Sequence, residues 1–194
     1  MNRRYLRATV AAASLFGGAF WAVAWLAPAP SLLWNASASA PIGLYRIDTG
    51  AQPVAGDLVA IEPPPALGDW LAQRGYIPRG VPLLKRVAGV PGQRVCRTGA
   101  FVTIDGHGAA RAVARDRLGR PLPIWFGCRI IRRGEFFLLN AAPDSLDSRY
   151  FGAISATGLI GVAQPIWTRA APGAPLRWRQ PRIHPNPNIE KTGE

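Results

Sequence analysis

The stretch "VPLLKRVAGVPGQRVCR", residues 81–97, holds two apolar runs on either side of Pro91-Gly92. Branched apolar residues interrupted by a Pro-Gly pair predict a strand, a turn and a second strand. The same grammar extends outward. "GLYRI" (43–47) and "DLVAIEP" (57–63) predict strands joined through "DTGAQPVAG", and "ALGDWLAQRGY" (66–76) predicts a short helix with Leu67, Trp70 and Leu71 on one face. Downstream, "FVTIDGHGAARAVA" (101–114) predicts a hairpin about Asp105-Gly106, and "DRLGRPLP" (116–123) a loop. "CRIIRRGEFFLLN" (128–140) predicts strand, turn and strand, and "AISATGLIGVAQPIW" (153–167) closes the series. With 21 Gly and 19 Pro in 194 residues, turns are frequent, which suits an all-β or mixed domain better than a helix bundle.

The N-terminus sets a second unit apart. Arg3, Arg4 and Arg7 precede a charge-free run from Ala8 to Ala27, with Trp21 and Trp25 toward its far end. About twenty such residues cross a bilayer core, and aromatic residues favour its interface. A cleaved signal peptide is the rival, but the run is long for one and Pro30 follows the Ala27-Pro28-Ala29 triplet. The expected organisation is a basic flank and anchor over 1–29, a β-rich domain over 30–171, and a Pro-rich tail over 172–194 with its last dozen residues disordered. The positive flank would stay in the cytoplasm and the rest lie outside. Cys96 and Cys128 could pair there, although the sequence does not give their separation.

The formal net charge of +12 invites a nucleic-acid reading. The arginines are scattered, however, without an aromatic-interleaved stripe or a nucleic-acid motif, so no nucleic acid is expected. Only two of the 23 basic residues are lysines, Lys85 and Lys191, and Lys85 alone lies in the expected folded body. Burial can deprotonate a lysine, whereas arginine keeps its proton.

His107 lies in a turn and His184 in the tail, which disfavours a Ser-His-Asp triad. No residues carry metal-ligand spacing and no Gly-rich phosphate loop occurs, so neither metal nor cofactor is expected. A serine activated by a lysine remains. That pairing needs a neutral amine, and the apolar neighbours of Lys85 could supply the desolvation.

Three segments in order, "SASAPIGLY" (37–45), "LLKRVAGVPG" (83–92) and "SLDSRYFG" (145–152), resemble the signal peptidase I superfamily of membrane-anchored Ser/Lys endopeptidases. "NASASAPIGLY", "RGYI", "GRPLP" and "DSRYFG" are closer to its conjugative-transfer branch, the TraF type, from about Asn35 to Trp167. The resemblance implies a mainly antiparallel β catalytic domain behind one transmembrane helix. It implies Ser39 as nucleophile and Lys85 as general base. Ser37 corresponds to a hydroxyl that joins the nucleophile's amide in an oxyanion hole, and Asp147 with Arg149 would form a bracing ion pair. Pro41 and Gly43 would shape a tight backbone that presents Ser39 at the start of a strand.

The expected partner is a precursor polypeptide in the membrane, a pilin subunit of a conjugative or type IV secretion apparatus, bound as an added strand. The expected location is the bacterial inner membrane, with the catalytic domain periplasmic. General signal peptidase I activity, or a non-catalytic membrane-tethered assembly factor, are the alternatives. The chain departs from ordinary signal peptidases at Ala40, at Leu139-Asn140-Ala141 and at Pro91-Gly92-Gln93, which favours the specialised branch.

Overall fold

Residues 81–97 do form two strands about Pro91-Gly92, but the strands belong to different sheets. The structure is a computed structural model and describes residues 3–26 and 32–178. The first strand of that stretch, β4 (Leu83–Gly89), lies inside an eight-stranded antiparallel sheet, and the second, β5 (Arg94–Thr98), inside a four-stranded one. The turn between them therefore joins two layers.

The N-terminal unit is a helix, α1 (Arg3–Leu26). Its apolar side chains are exposed, Phe20 and Trp25 among them. Residues Arg3–Val23 are long and apolar enough to cross a bilayer, and none of that span is buried. Such a surface is stable in hydrocarbon rather than in water.

The larger sheet carries β1 (Leu32–Asn35), β2 (Ile42–Asp48), β3 (Leu58–Ile61), β4, β9 (Glu135–Leu139), β10 (Ile154–Ser155), β11 (Leu159–Arg169) and β12 (Arg177–Trp178). Its order is β1-β2-β11-β3-β4-β9-β10, with β12 paired to β11. Strand β2 alternates, burying Gly43, Tyr45 and Ile47, as a half-buried strand should. Central β4 buries Leu83, Leu84 and Lys85 in succession. Helix α2 (Pro65–Gln73) starts with Pro65 in its first turn and buries Leu71 against a core of Val59, Ile61, Val87 and Leu138.

The smaller sheet runs β7-β6-β5-β8, from β6 (Phe101–Ile104), β7 (His107–Arg111) and β8 (Gly127–Ile130). Asp105 and Gly106 turn the expected hairpin with positive φ values of 50° and 83°. Cys96 and Cys128 face each other across β5 and β8 and form a disulfide, with Cα atoms 4.0 Å apart.

Elements beyond the sequence expectation include β1, the one-turn helix α3 (Ser148–Phe151), a 3-10 turn (Ala156–Gly158) and β12. Part of the segment read as a tail thus pairs with the sheet, Trp178 opposite Trp167 and Arg177 opposite Thr168. Its expected disordered end lies outside the described residues.

Candidate active site

Between β1 and β2 the chain makes a hook, residues 36–41, folded around one side chain. Asn35, buried at the end of β1, directs its Nδ2 to the carbonyls of Ser37 (2.9 Å), Ala40 (3.2 Å) and Pro41 (3.0 Å). Its Oδ1 accepts from the Ser37 amide at 3.0 Å and the Ser37 hydroxyl at 3.1 Å. The Tyr45 hydroxyl donates to the Pro41 carbonyl at 2.6 Å. Gly43 seats the hook. Its φ is +143°, and a Cβ there would lie 2.1 Å from the Trp167 carbonyl oxygen, so only glycine lets β2 approach β11. Ser39 lies three residues ahead of β2.

Ser39 Oγ lies 3.1 Å from Ser37 Oγ. Because Ser37 gives its proton to Asn35, the Ser39 hydroxyl is the donor between them. Ser39 opens on a cleft of about 620 Å³ that also contains Lys85 and Ser145. On its other side lies a cleft of about 830 Å³ whose walls include the small residues Ala40, Ala88, Ala109 and Ala141.

Lys85 is only 5% exposed, on β4 opposite Val59 of β3. Burial pushes its pKa down from an ordinary 10.5 to about 8. Asp147 opposes that shift, Arg149 adds to it, and Asp144 opposes it in turn. Lys85 Nζ donates to Ser145 Oγ at 2.9 Å. Among the described residues its hydrogen bond goes to Ser145, while Ser39 pairs with Ser37; the cleft is what the two residues share.

The loop after β9 carries Ser145 and is fastened from beneath. Asp147 and Arg149 form a bidentate pair, Nε to Oδ1 at 2.7 Å and Nη2 to Oδ2 at 3.0 Å, with side chains 0% and 4% exposed. The spare valences are filled. The Asn140 amide donates to Asp147 Oδ2 at 3.0 Å, and Arg149 donates to the carbonyls of Asn140 (2.6 Å) and Pro143 (3.0 Å). A buried pair with every lone pair and proton satisfied holds its loop firmly, whereas removing one partner would strand a charge. Asn140 links this brace to the lysine strand. Its side chain donates to the Leu84 carbonyl at 3.0 Å and accepts from the Arg86 amide at 3.1 Å, gripping β4 on both sides of Lys85.

The family model "Signal peptidase, peptidase S26" matches residues 2–168. The chain belongs to the peptidase S26 signal peptidase family. The S26 chain is 38% identical to a conjugal transfer protein TraF of Agrobacterium fabrum over 144 residues, 69% of this chain and 81% of that one. It is 40% identical over 146 residues to a probable conjugal transfer protein TraF of Sinorhizobium fredii, covering 70% and 77%. A plasmid transfer protein TraF of Escherichia coli is 31% identical over 148 residues, with 69% and 81% covered. A signal peptidase I structure from Enterococcus faecalis aligns with 21% identity and a TM-score of 0.34, over 58% of this chain and 97% of that one.

In this S26 domain the five residues singled out in the sequence fall into two groups. Ser37, Ser39 and Lys85 line one cleft, and Asp147 with Arg149 forms a brace under the neighbouring loop. Asn35, Asn140 and Ser145 received no role from the sequence. Ser145 stands at the head of "SLDSRYFG", where nothing local separates it from an ordinary turn serine.

Proposed function

We propose that the chain is a membrane-anchored serine endopeptidase in which Ser39 is the nucleophile and Lys85 the general base. The observation that carries this is the buried Lys85, with its pKa lowered to about 8, in the same cleft as Ser39. A neutral amine there takes the Ser39 proton as Oγ attacks the scissile carbonyl carbon. Negative charge develops on the carbonyl oxygen and is met by the Ser39 amide and by the Ser37 hydroxyl, which turns away from Asn35 to donate. Lys85 then returns the proton to the departing amine, leaving an ester on Ser39 that a second nucleophile opens. Ser145 holds the amine in place. The Asp147–Arg149 pair holds the loop of Ser145, and is a positioning device rather than a participant.

The substrate is a precursor polypeptide in the membrane, a pilin-like subunit of a conjugative or type IV secretion apparatus. Relatives named for conjugal transfer support that assignment over general secretory processing. The exposed apolar α1 supports anchoring, with the N-terminus in the cytoplasm and the β domain on the far side of the bacterial inner membrane. The Ala-walled cleft beside Ser39 suits small substrate side chains near the cut. Ser39→Ala should abolish cleavage of the precursor while the protein stays folded and membrane-bound, as read by immunoblot of precursor and product. Substantial residual cleavage would remove Ser39 from the chemistry.

A further inference from the structure

The cleft that holds Ser39 and Lys85 continues into another of about 470 Å³, and the two share Tyr76, Arg117, Asp144 and Leu146 as walls. Four arginines line the continuation, Arg74, Arg115, Arg117 and Arg120, against two carboxylates, Asp116 and Asp144. Both carboxylates are engaged. Asp116 accepts from Arg120 at 2.7 Å and from the Tyr76 hydroxyl, and Asp144 is bridged by Arg117. Arg74 and Arg115 have no carboxylate partner among the described residues.

These two cations are nonetheless positioned. Arg74 donates through Nη1 to the Pro121 carbonyl at 2.8 Å, lies over the Trp70 ring at 4.7 Å and also meets the Tyr76 hydroxyl. Arg115 donates through Nη1 to the Gly119 carbonyl at 2.6 Å. A guanidinium fixed by one edge can offer its other donors to an anion at little further entropic cost. Leu122 and Leu146 add apolar wall beside the two cations. Planar guanidinium groups match a carboxylate in two-point geometry.

We propose that this cleft is a specificity subsite for a carboxylate carried by the substrate polypeptide, bound by Arg74 and Arg115 while the chain lies across Ser39. The proposal rests on the peptidase assignment, in that a polypeptide occupies the Ser39 cleft. Continuity with that cleft favours a substrate carboxylate over an anionic lipid headgroup. The carboxylate is an Asp or Glu side chain or a free chain end.

Binding to the intact Ser39→Ala protein in detergent tests the subsite without requiring cleavage. The probes are fluorescent peptides spanning a cleavable precursor segment. One Glu is moved along the peptide against a Gln control, and each peptide is made with a free or an amidated C-terminus. One Glu position, or the free chain end, should tighten binding about tenfold. Rising salt should erode that preference, and Arg74→Gln/Arg115→Gln should abolish it. In the cleaving wild type the same position should lower KM with little change in kcat. Equal binding of Glu and Gln peptides at every position and of both chain ends would overturn the proposal. So would a double variant that keeps the peptide preference but no longer binds vesicles of anionic lipid. Failure of the wild type to cut any peptide, with the binding preference intact, would instead count against Ser39 and leave the subsite supported.

Discussion

Ser37 lies two residues before Ser39, and its hydroxyl is committed to Asn35 Oδ1 at 3.1 Å while also meeting Ser39 Oγ at 3.1 Å. Both serines line the cleft of Lys85, but the Ser37 hydroxyl is tied to Asn35 and so is placed to aid an oxyanion, whereas the Ser39 hydroxyl carries no such tie to Asn35. Ser37→Ala should therefore lower kcat by about 10²–10³, the usual cost of one oxyanion donor, with KM little changed. Steady-state kinetics on a precursor peptide measure this. Equal inactivity of the Ser37→Ala and Ser39→Ala proteins would mean that the two serines had been assigned the wrong way round.

At the level of elements, the placement of the hook depends on how closely β2 can lie against β11. Gly43→Ala would put a methyl group 2.1 Å from a backbone oxygen that cannot move without opening the sheet. The variant should lose roughly 2–4 kcal/mol of stability, seen as a lower midpoint in denaturant unfolding. An unchanged midpoint would show that β2 and β11 are not packed this way. The strands legible in the sequence were those with branched apolar runs between turn residues, such as "GLYRI" and "DLVAIEP". Strand β1 was not, because four residues beside an apolar anchor carry no period of their own. Helix α3 is a single turn begun by the Asp147 side chain, which accepts from the Arg149 amide at 3.2 Å. Lys85 stands out as the one lysine in the expected folded body, and Ser39 is named through the family resemblance. Asn140 and Ser145 carry no such mark, since their meaning lies in partners 56 and 60 residues away.

Across the whole domain, the smaller sheet is tied to the site as well as to itself. Arg97, beside Cys96 and only 4% exposed, donates to the Arg149 carbonyl at 2.7 Å. The Cys96–Cys128 bond thus steadies the strand that supports the Asp147–Arg149 brace. It closes a loop with a sequence separation of 32, for which chain entropy alone gives about 3–4 kcal/mol. A Cys96→Ala/Cys128→Ala protein should be less stable by roughly 2–4 kcal/mol in denaturant unfolding, and reductant should have no further effect on it. Two free thiols in a mass spectrum of the unreduced wild type would contradict this.

If neutral Lys85 takes the Ser39 proton, kcat/KM should follow the titration of that amine. With a pKa near 8, activity should climb about tenfold per pH unit below that value and level off above it. Lys85→Arg keeps the charge but cannot release the proton, so a folded Lys85→Arg protein should be inactive at every pH. An active Lys85→Arg enzyme, or a wild-type profile flat from about pH 6 to 9, would contradict the account.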